Sequence, residues 1–156
     1  MKQRFSAGAF WLAGLGFFWI LPPVEATSNS DLTVELNGLK NQIGQVCLSL
    51  FSSNQGFPDH KENALQSQCV QLGKESPKIT FENLIPGNYA VAVFHDANSD
   101  QTLNLNSLGI PTEGFGFSRN PTILAGPPQF DDTAVVVATA QNNIQIQLQY
   151  LWNFNQ

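Results

Sequence analysis

Residues 84–120 read LIPGNYAVAVFHDANSDQTLNLNSLGIPTEGFGFSRN, and the rest of the chain is predicted to be organised around them. Both faces of residues 89–94 are apolar, with Tyr, Val and Val on one side and Ala, Ala and Phe on the other. A strand that is apolar on both faces is covered on both sides. Residues 89–95 are therefore predicted to form the central strand. The preceding Pro86 and Gly87 are typical of a type II turn and predict a β-hairpin that leads into this strand.

Short runs with a two-residue period occur along the chain on both sides of this strand. The last run, residues 143–151, alternates apolar residues with glutamine, as a strand with one face on the core does. The predicted fold is all-β, an antiparallel, Greek-key-like β-sandwich of about seven strands. At 156 residues the chain suits one domain, residues 27–156 with a core at 31–151. The predicted strands are 31–36, 45–51, 64–72, 78–84, 89–95, 133–139 and 143–151.

The first 26 residues have the three parts of a secretory signal peptide. Lys2 and Arg4 make its start positive, residues 7–21 are an uncharged apolar run, and small residues precede a predicted cleavage site after Ala26. The alternative is an uncleaved membrane anchor, but the apolar run is shorter than the roughly 20 residues of a spanning helix and ends at Pro22. We therefore predict a cleaved signal helix, export to the periplasm or beyond the cell, and no stable membrane span after cleavage.

The predicted export would place the two cysteines, Cys47 and Cys69, in an oxidising compartment. Thiols pair in an oxidising compartment, so one disulfide is predicted. Two separate buried thiols are the alternative. The composition also bears on partners: the net charge is −5 and lysines and arginines form no cluster. We do not expect an acidic domain of this kind to bind nucleic acid.

Oxygen-bearing side chains recur at every second residue in the loop that follows the central strand. They match the first, third, fifth and ninth places of a calcium loop, with a backbone carbonyl at the seventh. Gln101 and Ser107 stand where such loops have glycine and glutamate, so Glu113 would fold back to supply a carboxylate. The alternative is a polar loop whose side chains bond only to its own backbone. The predicted calcium ligands are Asp96, Asn98, Asp100, Thr102, Asn104 and Glu113.

His95 beside Asp96 also permits a catalytic interpretation. With Glu113 these residues would serve a hydrolase-like enzyme on carbohydrate or peptide. A serine hydrolase needs a nucleophile in a G-x-S-x-G turn, and Ser118 lacks that context. The two histidines are far apart in sequence, so they form no zinc motif. We therefore predict a non-catalytic domain that acts in binding or envelope structure.

Two aromatic residues, Phe115 and Phe117, alternate with glycines after the loop. An exposed aromatic pair would dock an envelope protein or a small ligand. The favoured interpretation is that the rings cap the open end of the sandwich and that the glycines supply positive φ angles.

Several parts of the chain form a more specific pattern. They are LIPGNYAVAVFHD (84–96), Asn98, Asn104, LGIPTEGFG (108–116), Phe117-Ser118 and GPPQF (126–130). This pattern resembles a bacterial exported family catalogued as domain of unknown function 2141. The resemblance implies an exported β-sandwich of the transthyretin-like and carboxypeptidase-regulatory-like kind, with no established function. Members of that family resemble DxNxNGxxD in the loop, whereas here Asp100, Gln101 and Asn104 replace the second Asn, the Gly and the last Asp.

Overall fold

The computed structural model describes residues 29–151. The predicted signal peptide, residues 1–26, lies outside the described residues, so its cleavage stays a prediction. None of the helical segments among the described residues could span a membrane. The regular elements of this part, in chain order, are β1 (Ser30–Asn37), β2 (Gln45–Phe51), a 3₁₀ turn (Lys61–Asn63), β3 (Gln66–Gln71), β4 (Lys78–Leu84), β5 (Gly87–Asp96), β6 (Gly114–Phe117), α1 (Phe130–Thr133), β7 (Val135–Val137) and β8 (Gln141–Gln147).

The strands form two sheets, which confirms the predicted all-β sandwich. The smaller sheet has the order β4-β1-β8 and the larger has the order β3-β2-β5-β6, with β7 paired to the beginning of β5. The predicted central strand is β5. Its residues Tyr89, Val91 and Val93 belong to the core between the sheets, and Ala90 on its other face is also completely buried.

Alternating apolar residues explain why each strand presents one side to the core. In β1, Leu32, Val34 and Leu36 are completely buried, whereas the residues between them are half-exposed. Burying a side chain of this size contributes about 1.5–3 kcal/mol. A slip by one residue would expose all three, so the two-residue period fixes the orientation of the strand. Ile146 and Leu148 enter the same core from the C-terminal end of the chain.

The two cysteines form the predicted disulfide. Cys47 in β2 and Cys69 in β3 lie directly opposite each other, and their sulfurs are bonded. The bond fastens the outermost strand of the larger sheet to its neighbour. A disulfide is compatible with the predicted export, because such bonds persist in oxidising compartments.

The predicted β-hairpin at Pro86 is wrong. β4 pairs with β1 and β5 pairs with β2, so the chain crosses from one sheet to the other at this point. Gly87 opens β5 without the positive φ of a type II turn, and Asn83 instead has φ 61°. The local turn signal is overridden by packing, since Ile79 and Phe81 of β4 are buried beside β1 in the core.

The C-terminal strands also differ from the prediction. β8 runs parallel to β1, with Val34 opposite Ile144, whereas all neighbours were predicted to be antiparallel. A two-residue alternation fits either direction, so the sequence pattern cannot distinguish them. The predicted strand 133–139 is reduced to β7, because α1 precedes it. A capping box between Gln129 and Asp132 caps the N-terminus of this helical turn.

Aromatic rings cover part of the larger sheet on the face turned away from the core. Neighbouring ring centroids in this cluster are 5.3–6.1 Å apart, and its members are Phe51, Phe57, Phe117 and Phe130. Phe115 and Phe117 are only 6% and 8% exposed. They therefore pack against the protein and form no exposed docking patch. Of the glycines in this segment, Gly109 has the predicted positive φ, 76°. Gly116 instead provides room, since a Cβ there would lie 2.7 Å from the Ile146 side chain.

Candidate functional site

The Asp/Asn loop, residues 96–104, begins at a buried carboxylate. Asp96 is the last residue of β5 and is completely buried. The Nε2 amide of Gln45, its neighbour in β2, donates to Asp96 Oδ2 at 2.7 Å. The backbone N–H groups of Asp100 and Gln101 also donate to this carboxylate, at 3.1 and 2.7 Å. Charge-assisted bonds of this kind are about twice as strong as neutral ones, so Asp96 anchors the first turn of the loop.

Two non-glycine residues of the loop have left-handed backbone conformations. Ser99 has φ 60° and Gln101 has φ 61°. Gln101 occupies the sixth place of the predicted calcium loop, where a glycine usually makes the sharp turn. The turn is formed here in spite of the side chain, because the bond from the Gln101 N–H to Asp96 holds it. The glutamine therefore does not prevent the backbone path of a calcium loop.

Side chains in the loop also bond to the backbone two residues further on. Asn98 Oδ1 accepts the N–H of Asp100 at 3.3 Å, and Asp100 Oδ1 accepts the N–H of Thr102 at 2.9 Å. These are the Asx turns of the alternative interpretation. These bonds fix the orientation of the side chains at the third and fifth places of the loop.

Three predicted ligands converge at the outer side of the loop. Asp100 Oδ2 accepts N–H groups from the side-chain amides of Asn98 at 2.8 Å and Asn104 at 3.1 Å. The two amides also contact each other, at 3.1 Å. The bonds from Asn104 and Asn98, followed by that from the Thr102 backbone, lower the pKa of the Asp100 carboxyl. Asp100 is exposed, so this carboxylate carries its charge at the surface.

Glu113 returns to the loop, as predicted. Its Oε1 accepts the N–H of Ala97 at 3.1 Å and its Oε2 accepts the N–H of Asn104 at 3.0 Å. Glu113 therefore joins the two ends of the Asp/Asn loop just before β6. Thr102 supplies only its backbone N–H to the contacts described, and its side chain is exposed.

The positions of these side chains limit which oxygen atoms could bind a cation at the Asp/Asn loop. Among residues 29–151, no group of three or more His, Cys, Asp or Glu side chains is placed to share a metal ion. A cation at the loop would therefore depend on amide and carbonyl oxygens beside the Asp100 carboxylate. Calcium accepts such mixed oxygen sets, including backbone and Asn carbonyls. Asp96 and Glu113 shape the loop, because both oxygens of each carboxylate already accept N–H donors.

The structure does not bring His95 and Asp96 together. Successive residues of a strand point to opposite faces, and His95 points to the end of the core, where it is 2% exposed. Its Nε2 donates to the carbonyl of Ile43 at 2.8 Å, and its Nδ1 accepts the Tyr150 hydroxyl at 2.8 Å. Burial raises the pKa of this hydroxyl, which keeps it a hydrogen-bond donor. His95 thus fastens the segment after β8 to the sandwich, and its side chain does not lie on the same face of β5 as the Asp96 carboxylate.

Ser118 also has a structural position that the sequence did not reveal. It is completely buried and fills the gap between β6 and β7 along β5. Its hydroxyl accepts the N–H of Val91 at 2.9 Å and donates to the carbonyl of Thr133 at 2.6 Å. The Ser118 hydroxyl thus takes the place of the strand partner that the Val91 N–H lacks between β6 and β7. Gln45 was likewise missed, and the only signal for it was a polar residue at the start of an apolar strand.

These features define the class of protein as a β-sandwich domain with a hydrogen-bonded Asp/Asn loop at the end of its central strand. Within that class, the chain belongs to the bacterial family described as "Uncharacterized protein conserved in bacteria (DUF2141)", whose profile matches residues 34–145. The predicted family is thereby confirmed, while the finer likeness to transthyretin-like domains stays a prediction. No curated protein and no solved structure matches the chain.

Proposed function

We propose that this protein is an exported, non-catalytic binding domain whose Asp/Asn loop takes up calcium. In this proposal the ion stiffens the loop, and the stiffened end of the sandwich contacts an envelope protein or a small ligand. The observation that carries the proposal is the convergence of Asn98 and Asn104 on the exposed carboxylate of Asp100.

The backbone path of the loop supports calcium as the ion. In calcium loops the sixth residue makes a sharp turn and the ligands alternate on either side of it. Here the sixth residue, Gln101, has a left-handed conformation, and Asp96 at the first place accepts the N–H groups of the fifth and sixth residues. The loop thus has the turn that a calcium loop requires, and hydrogen bonds within the protein hold it, which reduces the conformational cost of binding.

The chemistry of the donors supports a weak site. Rotating the side-chain amides of Asn98 and Asn104 by half a turn would present their oxygens, instead of their N–H groups, beside Asp100. Few carboxylates are free to take part, since Asp96 and Glu113 are engaged by N–H donors. Because few charged ligands would surround the ion, the dissociation constant is expected to be on the order of 10⁻⁴ to 10⁻³ M, as in extracellular calcium modules.

The contacts of the His95 ring and of the Ser118 hydroxyl support a non-catalytic role. Both ring nitrogens of His95 and both functions of the Ser118 hydroxyl are used within the protein. A general base or a nucleophile must instead reach a substrate. The predicted leader and the disulfide support export.

We expect millimolar calcium to raise the free energy of unfolding by about 1–2 kcal/mol, because an ion that binds only the folded state stabilises it by mass action. For a domain of this size the midpoint of thermal unfolding should rise by about 3–8 °C. Differential scanning calorimetry of the mature protein, with calcium and with a chelator, measures the shift. Magnesium should have a smaller effect, because it demands a stricter octahedral geometry.

The matched variants for this experiment are Asp100→Asn and Asp131→Asn. Asp100→Asn removes the carboxylate at the convergence point and should abolish the calcium shift. Asp131 is also exposed but lies in α1, away from the loop sequence, so Asp131→Asn should retain the shift. A wild-type protein that calcium does not stabilise, or an equal shift in the Asp100→Asn variant, would overturn the proposal.

A further inference from the structure

A row of three side chains on the larger sheet, on the face turned away from the core, links its outermost strand to the Asp/Asn loop. Gln71 of β3, Gln45 of β2 and Asp96 of β5 lie opposite one another in the register of the three strands. The Nε2 amide of Gln71 donates to Gln45 Oε1 at 3.2 Å, and the Nε2 amide of Gln45 donates to Asp96 Oδ2 at 2.7 Å. We call this row the glutamine relay. It reaches the loop because Asp96 Oδ2 also accepts the N–H of Gln101, at 2.7 Å.

The amide of Gln45 is oriented by both of its partners. Gln45 is 5% exposed, and its oxygen faces Gln71 while its N–H group faces the Asp96 carboxylate. A carboxylate accepts hydrogen bonds and donates none, so only this orientation of the amide fits Asp96. Gln71 completes the arrangement, because a buried amide oxygen without a donor would cost free energy. Gln71 therefore supports the loop, although β2 lies between its strand and β5.

The disulfide lies directly beside the relay. Cys69 and Cys47 are each two residues from the paired glutamines, so the sulfurs and the amides lie on the same face of the sheet. The covalent bond therefore holds β3 against β2 at the place where Gln71 must reach Gln45. Among residues 29–151, β2 is the only strand neighbour of β3. Loss of the bond should therefore loosen β3 more than it would loosen a strand that is held on both sides.

A second contact ties the turn of the loop to the same part of the chain. The Nζ ammonium of Lys61 donates to the carbonyl of Gln101 at 3.5 Å. Lys61 begins the 3₁₀ turn between β2 and β3, inside the segment that the disulfide closes. Gln101 has a left-handed backbone conformation, which side chains disfavour and which persists only where the surroundings hold it. Its N–H bond is supported by the relay and its carbonyl bond comes from Lys61, so both lead back to the elements that the disulfide joins.

We propose that the Cys47–Cys69 disulfide controls the Asp/Asn loop, and that Gln45 and Gln71 are the positioning residues that transmit its state to Asp96. With the bond intact, the relay holds the turn at Gln101. With the bond reduced, β3 loosens, the relay opens and the turn becomes mobile. As a control of calcium uptake this inference rests on the proposed function, whereas the coupling between disulfide and loop is a property of the protein without calcium.

The reductant in this proposal is a dithiol, which reaches the bond from the edge of the sheet. Cys69 is exposed on the outermost strand, whereas Cys47 is 6% exposed. A thiolate of the dithiol attacks the Cys69 sulfur and displaces the Cys47 sulfur, and the second thiol then displaces Cys69. The dithiol ends as its own disulfide, and its two electrons and two protons end on Cys47 and Cys69 as thiols. A mobile turn must be ordered when an ion binds, so reduction should lower the affinity for calcium.

Hydrogen exchange of single backbone amides in the calcium-free protein, followed by NMR, tests the coupling. On reduction with excess dithiothreitol, exchange of the Gln101 amide should become at least about tenfold faster, because local opening of the turn is no longer restrained. The Asn104 amide of the same loop donates to Glu113, outside the relay, so its exchange should change less than about threefold. An unchanged Gln101 amide, or an equal increase at both amides, would overturn the proposal.

Gln71→Leu and Gln68→Leu are the matched variants, and they keep the test decisive if the reduced protein does not stay folded. Both glutamines lie in β3, but Gln68 donates to the carbonyl of Thr80 in the other sheet and takes no part in the relay. In the oxidised protein, Gln71→Leu should speed exchange at Gln101 by about threefold to tenfold, and Gln68→Leu should leave it unchanged. In reduced, folded protein Gln71→Leu should add little, because the relay is already open. The proposal fails if the two variants have equal effects in the oxidised protein.

Isothermal titration calorimetry with calcium separates this inference from the proposed function. The oxidised protein should bind calcium at least about threefold more tightly than the reduced protein. If neither form binds calcium while the Gln101 amide responds as expected, the coupling stands and the calcium function is wrong. Equal affinities of the two forms would contradict the control of calcium uptake.

Discussion

Replacement of Asp96 with alanine is expected to lower the free energy of unfolding by about 3 kcal/mol. The substitution removes an acceptor of three hydrogen bonds and leaves the buried amide of Gln45 without its partner. A buried donor left unpaired costs about 1–3 kcal/mol, and bonds to a charged group contribute more than neutral ones. Urea denaturation at neutral pH, without calcium, measures the loss.

Asp100→Ala is the matched control for this effect. Asp100 lies in the same loop and also accepts hydrogen bonds, but it is exposed, so water can replace its contacts. Its substitution should change stability far less than that of Asp96. If the two variants were equally stable, the interpretation of Asp96 as the buried anchor of the loop would be wrong.

Removal of the disulfide is the second large effect. The Cys47→Ala/Cys69→Ala variant should lose about 3 kcal/mol, because the bond closes a loop between residues separated by 22 positions and restricts the unfolded chain. Chemical denaturation of the oxidised wild type and the variant gives the difference. Proteolysis should also cut the segment between β2 and β3 faster in the variant, since β3, an edge strand, then has no covalent bond to β2.

The neighbouring cross-strand pair provides the control for the disulfide. Ser49 and Ser67 lie opposite each other two positions further along the same strands and share a hydrogen bond of 2.9 Å. Ser49→Ala/Ser67→Ala should cost about 1 kcal/mol or less, as a partly exposed hydrogen bond does. An equal loss in both double variants would show that the sheet contact, and not the covalent bond, supplies the stability.

The fold was predictable where burial alone decides it. The apolar faces of residues 89–94 identified the central strand, and alternation placed Leu32, Val34 and Leu36 inside. The pairing partners and the directions of the strands were harder to predict from the sequence. Nothing in the period of residues 143–151 distinguishes a parallel from an antiparallel neighbour, and the turn signal at Pro86 was overridden by the pairing of β4 with β1.

The candidate site was predictable in its composition and less so in its geometry. The spacing of Asp96, Asn98 and Asp100 identified the loop, and Glu113 folds back to it. The sequence could not show that Asp96 is buried, because that depends on Gln45 in another strand. Nor could it show that Gln101 would adopt a left-handed conformation, which side chains normally disfavour.

A calcium titration of the mature protein, followed residue by residue through its backbone amide NMR signals, distinguishes binding at the Asp/Asn loop from binding elsewhere. We expect saturable changes at the amides of residues 97–104 and 113, with a dissociation constant on the order of 10⁻⁴ to 10⁻³ M. Signals elsewhere in the sandwich should move little. Loop signals that do not change in millimolar calcium, or changes spread over exposed carboxylates along the whole chain, would contradict it.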